Sequence, residues 1–214
     1  MSDVNDFPIA KSWLSTMSQS WFGSGGDQIW LINQLDHLND ESVVMEIGAY
    51  KGDWAKSILQ KYNCNVFLYE PFEDAFKHCK NNVGISDKTH FHNYGLSNKN
   101  GEVDLYLNKD GSSMSRVSDE KKTIKVIDVV DEMNNIGTDI DAMQINIEGA
   151  EFDLLDRLLD SGKIKNINTL LIQFHTEGGK SDFNRRLDIQ KRLADTHTMK
   201  FNFDFVWERW DKIK

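Results

Sequence analysis

At 214 residues the chain is long enough for one domain with a sizeable core, and its 39% hydrophobic content, with 12 Phe and 6 Trp, excludes a disordered polymer. A formal net charge of −9 leaves no basic excess to neutralise phosphates, which argues against a nucleic-acid or anionic-membrane binder. No apolar run approaches the length of a membrane span, the first residues lack the basic and apolar regions of a signal peptide, and Cys64 and Cys79 form no disulfide framework or zinc pattern. The expected location is cytoplasmic.

In chain order, residues 1–25 carry Phe7, Trp13, Leu14, Met17, Trp21 and Phe22 without a clean period, and a glycine hinge follows. Asp27 is placed to cap a helix from Gln28 to Leu38. Residues 1–40 therefore read as an arm and helix, either packed over a sheet edge or forming a lid, ahead of a domain over 41–214. Val43-Val44-Met45 then leads into Glu46 and a loop with glycines at 48 and 52, behind which Ala55, Ile58, Leu59 and Tyr62 fall at helical spacing. Strand, glycine loop and helix form the opening unit of a nucleotide-binding α/β domain. A second strand is expected at Asn65–Glu70, a helix through Phe72–Val83 and a third strand at His90–Asn93.

Val103, Leu105 and Leu107 alternate with polar residues like a half-exposed strand, and Asp110 to Ser118 reads as a polar loop able to close over a ligand or merely to connect. A short strand at Thr123–Val126 and a short helix at Ile127–Met133 follow. Met143–Ile147 is the fourth main strand, then a helix bearing Leu154, Leu155, Leu158 and Leu159, then a fifth strand, Leu170–Phe174, ending at His175. A charged helix over Asp182–Asp195 and an aromatic-rich terminal hairpin complete the chain. Strands alternating with helices imply a doubly wound, mostly parallel sheet covered on both faces. Ligands in such sheets sit beyond the carboxyl ends of the strands, where Glu46, Glu70, Ser97, Glu148 and His175 all fall.

Two details narrow the ligand. A dinucleotide loop wants G-x-G-x-x-G, whereas Tyr50 occupies the middle glycine position, and Glu46 would repel phosphate but attract an ammonium. S-adenosylmethionine (SAM) offers an ammonium, a carboxylate and a sulfonium, and no phosphate. Its carboxylate suits the helix N-terminus behind Gly52, and Glu70, at the end of the second strand, suits its ribose hydroxyls. An NAD-type dehydrogenase is the rival reading. A non-catalytic module retaining the SAM pocket is a second.

The landmarks Glu46-Ile-Gly-Ala-Tyr-Lys-Gly52, Tyr69-Glu-Pro71, Gly95-Leu-Ser97, Ser112-Ser113, Ile145-Asn-Ile-Glu-Gly-Ala-Glu151 and Gln173-Phe-His175 resemble the FkbM-type SAM-dependent methyltransferases, from about Ser42 onward. The resemblance implies a class I methyltransferase (Rossmann-like) fold, a seven-stranded sheet with an antiparallel last strand. It also implies O-methylation of a sugar, glycan or similar polyhydroxylated small molecule. It assigns Glu46, Gly48, Ala49, Tyr50, Gly52, Glu70, Pro71, Phe72, Leu96, Ser97 and Ser113 to the cofactor. The chain departs from the family pattern at Gln144, where lysine is usual, at Asn146, where aspartate is usual, and at Gln173, often glutamate.

An aliphatic hydroxyl is a poor nucleophile, so a base beside its proton helps. His175 is the first candidate, since a free imidazole is mostly neutral at cytosolic pH. Glu148 suits orientation or base work, and neutral Asn146 suits positioning. Glu151 reads as favourable electrostatics at a helix N-terminus. Oxygen and imidazole donors at Glu148, Asn146 and His175 also suit Mg²⁺ or Mn²⁺, but their spacing is not diagnostic and a metal stays unassigned. Trp207 and Trp210 fit either the core or a sugar-stacking face.

Overall fold

The computed structural model describes residues 8–108, 111–113, 121–176 and 180–214. The chain opens with α1 (Pro8–Gly23), then β1 (Val43–Ile47), α2 (Asp53–Tyr62), β2 (Asn65–Tyr69), α3 (Glu73–Val83) and β3 (Thr89–His92). Four strands follow: β4 (Gly95–Ser97), β5 (Gly101–Asn108), β6 (Gly111–Ser113) and β7 (Lys121–Asp128). The last third is α4 (Val129–Ile136), β8 (Ala142–Ile145), α5 (Glu151–Asp160), β9 (Thr169–Ile172), α6 (Lys180–Leu193), β10 (His197–Phe203) and β11 (Trp207–Lys212).

Seven strands form one sheet in the order β10-β11-β9-β8-β1-β2-β3, and β11 alone runs against its neighbours. This is the doubly wound class I methyltransferase (Rossmann-like) sheet. Period-two alternation splits the core between its faces. Met45, Ile47, Met143, Ile145, Leu170 and Ile172 face α4, α5 and α6 through Met133, Leu154, Leu155, Leu158 and Ile189. Val44, Val66, Leu68, Ala142 and Leu171 face α2 and the N-terminal segment through Trp54, Ala55, Ile58 and Trp21. β8 and β9 are buried at every position, which is why their sequences are apolar runs without alternation.

The N-terminal helix packs Trp21 against Phe203 of the terminal hairpin, ring centroids 5.2 Å apart. Asp27 caps no helix: its carboxylate accepts from the Trp21 indole N–H at 3.0 Å, and a π-helical turn, Gln28–Asn33, replaces the expected longer helix. Trp207 and Trp210 are buried in the two halves of the core, so neither ring is free to stack on a sugar. Among the described residues no helix is long and apolar enough to cross a membrane.

The half-exposed strand and the short strand expected around residue 125 are longer than the sequence suggested, and they pair. β5 and β7 run antiparallel from Gly101 opposite Val126 to Tyr106 opposite Lys121, and with β4 and β6 they make a second, four-stranded sheet. Apart from the backbone of β6, the polar loop read at Asp110 to Ser118 lies outside the described residues, as does the Ser113 side chain.

Candidate active site

The β1–α2 loop is shaped by backbone conformations that few side chains tolerate. Gly48 has φ +86°, and a Cβ there would lie 2.0 Å from the carbonyl oxygen of Asn146. Gly52 has φ +75° and sits against Cys79 and Val83 of α3, where a Cβ would lie 2.7 and 2.5 Å from their side chains. The loop is tied to the end of β2: the N–H groups of Gly48 and Ala49 both donate to the Tyr69 carbonyl at 3.0 Å. The Tyr50 N–H donates to Glu70 Oε2 at 2.8 Å, and the Phe72 N–H to Glu70 Oε1 at 2.8 Å. The Tyr50 N–H is thereby already engaged, and the residue itself is 61% exposed. Burial raises the Glu70 carboxyl above its ordinary pKa, against the two backbone bonds that favour its charge.

Glu46 does not reach the cavity. On β1 the side chain of Ile47 faces the cavity, and alternation turns Glu46 to the opposite face, under the loop. There it is buried, bonds the backbone of Ala55 in α2, and leaves Oε2 without a partner. Its parallel neighbour on β8, Gln144, is also buried with Oε1 unpartnered. Burial, and then the nearby Asp53 and Glu70 charges, push the Glu46 carboxyl well above its ordinary value. A carboxyl raised in the folded state contributes stability that is fully present below its unfolded pKa, about 4.3. That contribution is lost as pH rises through the raised value. The variant Glu46→Gln, always neutral, is therefore expected to gain on the parent in melting temperature as pH rises from 4.5 through neutrality. Melts at both ends of that range check it; an equal difference at both ends would show that Glu46 carries no such penalty.

A cavity of about 700 Å³ opens at the carboxyl ends of β1, β2 and β8. Gly48, Tyr50, Glu70, Pro71, Phe72, Leu96 and Ser97 line it, together with Asn146 and Glu148. Ala49 and Gly52 lie in the loop behind that wall, so their contribution is to backbone shape. The second sheet supplies a wall that sequence reasoning missed: Val103, Leu105, Ile124 and Val126 present an apolar face beside Phe72. Only the alternation at 103–107 signalled it.

At the β8 end the chain turns through Glu148, a non-glycine residue with φ +53°, and Gly149 with φ +105°. His175, just past β9, comes within 3.6 Å of Glu148 through Nε2 and Glu151 Oε1 through Nδ1 at 2.8 Å. Strand order alone brings these groups together, since β8 and β9 are parallel neighbours. Glu151 is fully buried and also accepts from the N–H groups of Ile147 and Gly149, both at 2.9 Å. Reading Glu151 as helix-terminus electrostatics missed these bonds. Among the described residues no group of three or more His, Cys, Asp or Glu side chains is arranged to hold a metal ion.

The residues present fit SAM. Gly48 lets the loop pack directly against the Asn146 carbonyl and so holds its backbone in the cavity wall. Asn146 Oδ1, in the cavity wall, is a buried acceptor with no partner, a vacancy an ammonium donor satisfies. The N-terminus of α2, where the sequence placed the carboxylate, lies behind the cavity wall: the Gly52 N–H donates to the Ala49 carbonyl at 2.7 Å, and Glu46 bonds the Ala55 backbone.

No curated protein sequence matches the chain. Among solved structures, the chain is similar to the fibrillarin/Nop5p complex, at 8% identity and TM-score 0.52, covering 82% of this chain and 75% of that one. It is also similar to a putative rRNA-methylase from Clostridium thermocellum, at 10% identity and TM-score 0.50, covering 86% and 97%. A third similarity is to M. capricolum TrmK bound to S-adenosyl-homocysteine, at 14% identity and TM-score 0.48, covering 86% and 69%. Identities this low speak to fold alone. The sequence model of the methyltransferase FkbM domain matches residues 46–203, from Glu46 on β1 into the terminal hairpin. Spanning well over half the chain, with the glycine loop, Glu70 and the Glu148–Glu151 turn inside it, that match makes the protein a member of the FkbM family of SAM-dependent methyltransferases.

Proposed function

We propose that this protein methylates a hydroxyl of a sugar, glycan or similar polyhydroxylated small molecule in the cytoplasm. The observation that carries this reading is the approach of His175 to within 3.6 Å of Glu148, which lines the cavity. When bound, SAM supplies an electrophilic methyl group on a sulfonium. Holding the acceptor in line with it is the protein's main task. A hydroxyl within hydrogen-bond reach of both Glu148 and His175 would be oriented by the carboxylate and would give its proton to His175, while the methyl carbon leaves sulfur as a neutral thioether. Asn146, neutral, positions and does not titrate. The net charge of −9 weighs against an RNA acceptor, whose phosphates it would repel. Methyl transfer from labelled SAM to a panel of glycans and simple polyols tests the reading. Failure on every hydroxylated acceptor, with SAM bound normally, would favour a binding module, and NAD binding in calorimetry would favour a dehydrogenase.

For the cofactor, Glu70 is assigned to the ribose. It faces the cavity with both oxygens anchored by backbone donors, which leaves their other lone pairs for hydroxyls. Hydrogen bonds to a charged acceptor contribute about 1.5–3 kcal/mol each. Glu70→Ala is expected to weaken SAM binding at least tenfold and to lower stability by about 1 kcal/mol, because two part-buried N–H groups lose their partner. Calorimetry that returns the parent's dissociation constant would remove Glu70 from the cofactor site.

A further inference from the structure

We propose that Glu46 and Gln144 are a positioning pair beneath the cofactor loop, in which Glu46 stays a neutral acid and donates its proton to Gln144. Each side chain ends in a buried oxygen with no partner, Oε2 of Glu46 and Oε1 of Gln144. The two residues are register partners on the parallel strands β1 and β8, so their side chains leave the same face of the sheet side by side. One hydrogen answers both needs. Placed on Glu46 Oε2, it turns one orphaned acceptor into a donor and gives the other its partner.

The surroundings decide which residue holds that hydrogen. Turning the Gln144 amide would give the opposite arrangement, an N–H donated to an ionised Glu46. That would bury a full charge in a row that reads Leu68, Glu46, Gln144, Leu171, Arg209 across the sheet. Arg209, the one cation in this row, lies two strands beyond Gln144 and is already bonded to Asp211 and the Gln34 carbonyl. The charges that act on Glu46 from α2 and from the end of β2, Asp53 and Glu70, are both acids. On α3, burial keeps the nearby Cys79 thiol neutral. Glu70 has a backbone donor at 2.8 Å on each oxygen, and of two neighbouring acids the one with fewer donors keeps the proton. Negative charge is therefore confined to Glu70, a benefit to the cofactor that rests on the assignment of Glu70 to the ribose. Neutral Glu46 still accepts from the Ala55 backbone in the first turn of α2. That bond holds the loop on one side, while the Tyr69 carbonyl holds Gly48 and Ala49 on the other.

The test is carbon-13 NMR of the full chain labelled at the glutamate side-chain carboxyls, followed through a pH titration. The Glu46 signal is identified by its loss in Glu46→Gln. At neutral pH it is expected where a protonated acid resonates, with the Glu70 signal, identified by its loss in Glu70→Ala, among the carboxylates. In Gln144→Leu, which removes the acceptor, the Glu46 signal should shift and remain that of an acid. A titration in which no glutamate stays protonated at neutral pH overturns the proposal with no variant at all. A Glu46 carboxylate at neutral pH also overturns it, since the Gln144 amide is then the donor, and so does a Glu46 signal untouched by Gln144→Leu. SAM binding in calorimetry gives the second arm. Glu46→Ala is expected to weaken it by about tenfold, and Glu46→Gln, whose amide can donate to Gln144 and accept from Ala55, to restore it. Equal losses in the two variants would mean that the loop needs the carboxylate charge, against the proposal. If Glu46 is an acid but Glu70→Ala binds SAM like the parent, the ribose assignment falls while the shared proton stands.

Discussion

Replacing His175 by alanine, or Glu148 by glutamine, is expected to lower methyl transfer by about 10²–10⁴-fold, the range a positioned general base contributes. SAM binding should stay close to the parent's. A group that acts only on the reacting hydroxyl stabilises the transition state and not the bound cofactor, so its loss appears in the rate alone. The surroundings tolerate both changes. In His175→Ala, Glu151 Oε1 keeps the Ile147 N–H, so no buried oxygen is stranded. In Glu148→Gln the side chain keeps its shape at a half-exposed position and loses only its charge. Single-turnover transfer at saturating SAM, on whichever panel acceptor proves active, makes the measurement. Both variants turning over like the parent would place the base elsewhere, or leave proximity alone to do the work. Both losing SAM binding would move the pair into the cofactor pocket.

The sheet was legible because its central strands are short apolar runs separated by helical periodicity, and burial on both faces leaves that signature. What such a run hides is which way each side chain points. Val43 to Ile47 shows no alternation, so nothing local revealed that Glu46 turns away from the cavity while Ile47 lines it. The second sheet was missed for a different reason. Its pairing is non-local across a polar segment, and β7 alternates only from Ile124 on, its first three residues being polar and exposed like a loop. Asp27 followed cap rules that tertiary contact overrode, since the Trp21 indole competes for the same oxygen.

At that end of the sheet, Glu148 and His175 were readable as residues following parallel strands, but the carboxylate bonded to His175 and to the turn was not. Glu151 stands four residues after Ile147 and 24 before His175, and only the folded turn shows that one carboxylate serves both. A signal was available in hindsight: an acid two residues after a glycine, beside a strand end, is placed to accept from the turn's own N–H groups.

Gly48→Ala is expected to abolish measurable SAM binding and to lower the melting temperature by roughly 10 °C. Two costs combine. A left-handed alanine costs about 1–2 kcal/mol, and an overpacked site about 1–3 kcal/mol more. The second is hard to relieve here, because the added Cβ would meet a backbone carbonyl, that of Asn146, at 2.0 Å. No rotamer change moves that atom, and the Asn146 N–H is itself held by the Ile47 carbonyl at 3.0 Å. The loop must therefore lift away from the β8–α5 turn, separating the cofactor cradle from Asn146 and Glu148. Gly162 provides the control. It is left-handed, with φ +74° and ψ 1°, but a Cβ there would meet nothing within 4 Å. Gly162→Ala should show the left-handed cost alone, about 1–2 kcal/mol, with SAM binding intact. Should Gly48→Ala melt with Gly162→Ala and bind SAM like the parent, the close approach of the loop to Asn146 is not what forms the cradle, and Gly48 is needed only for its turn.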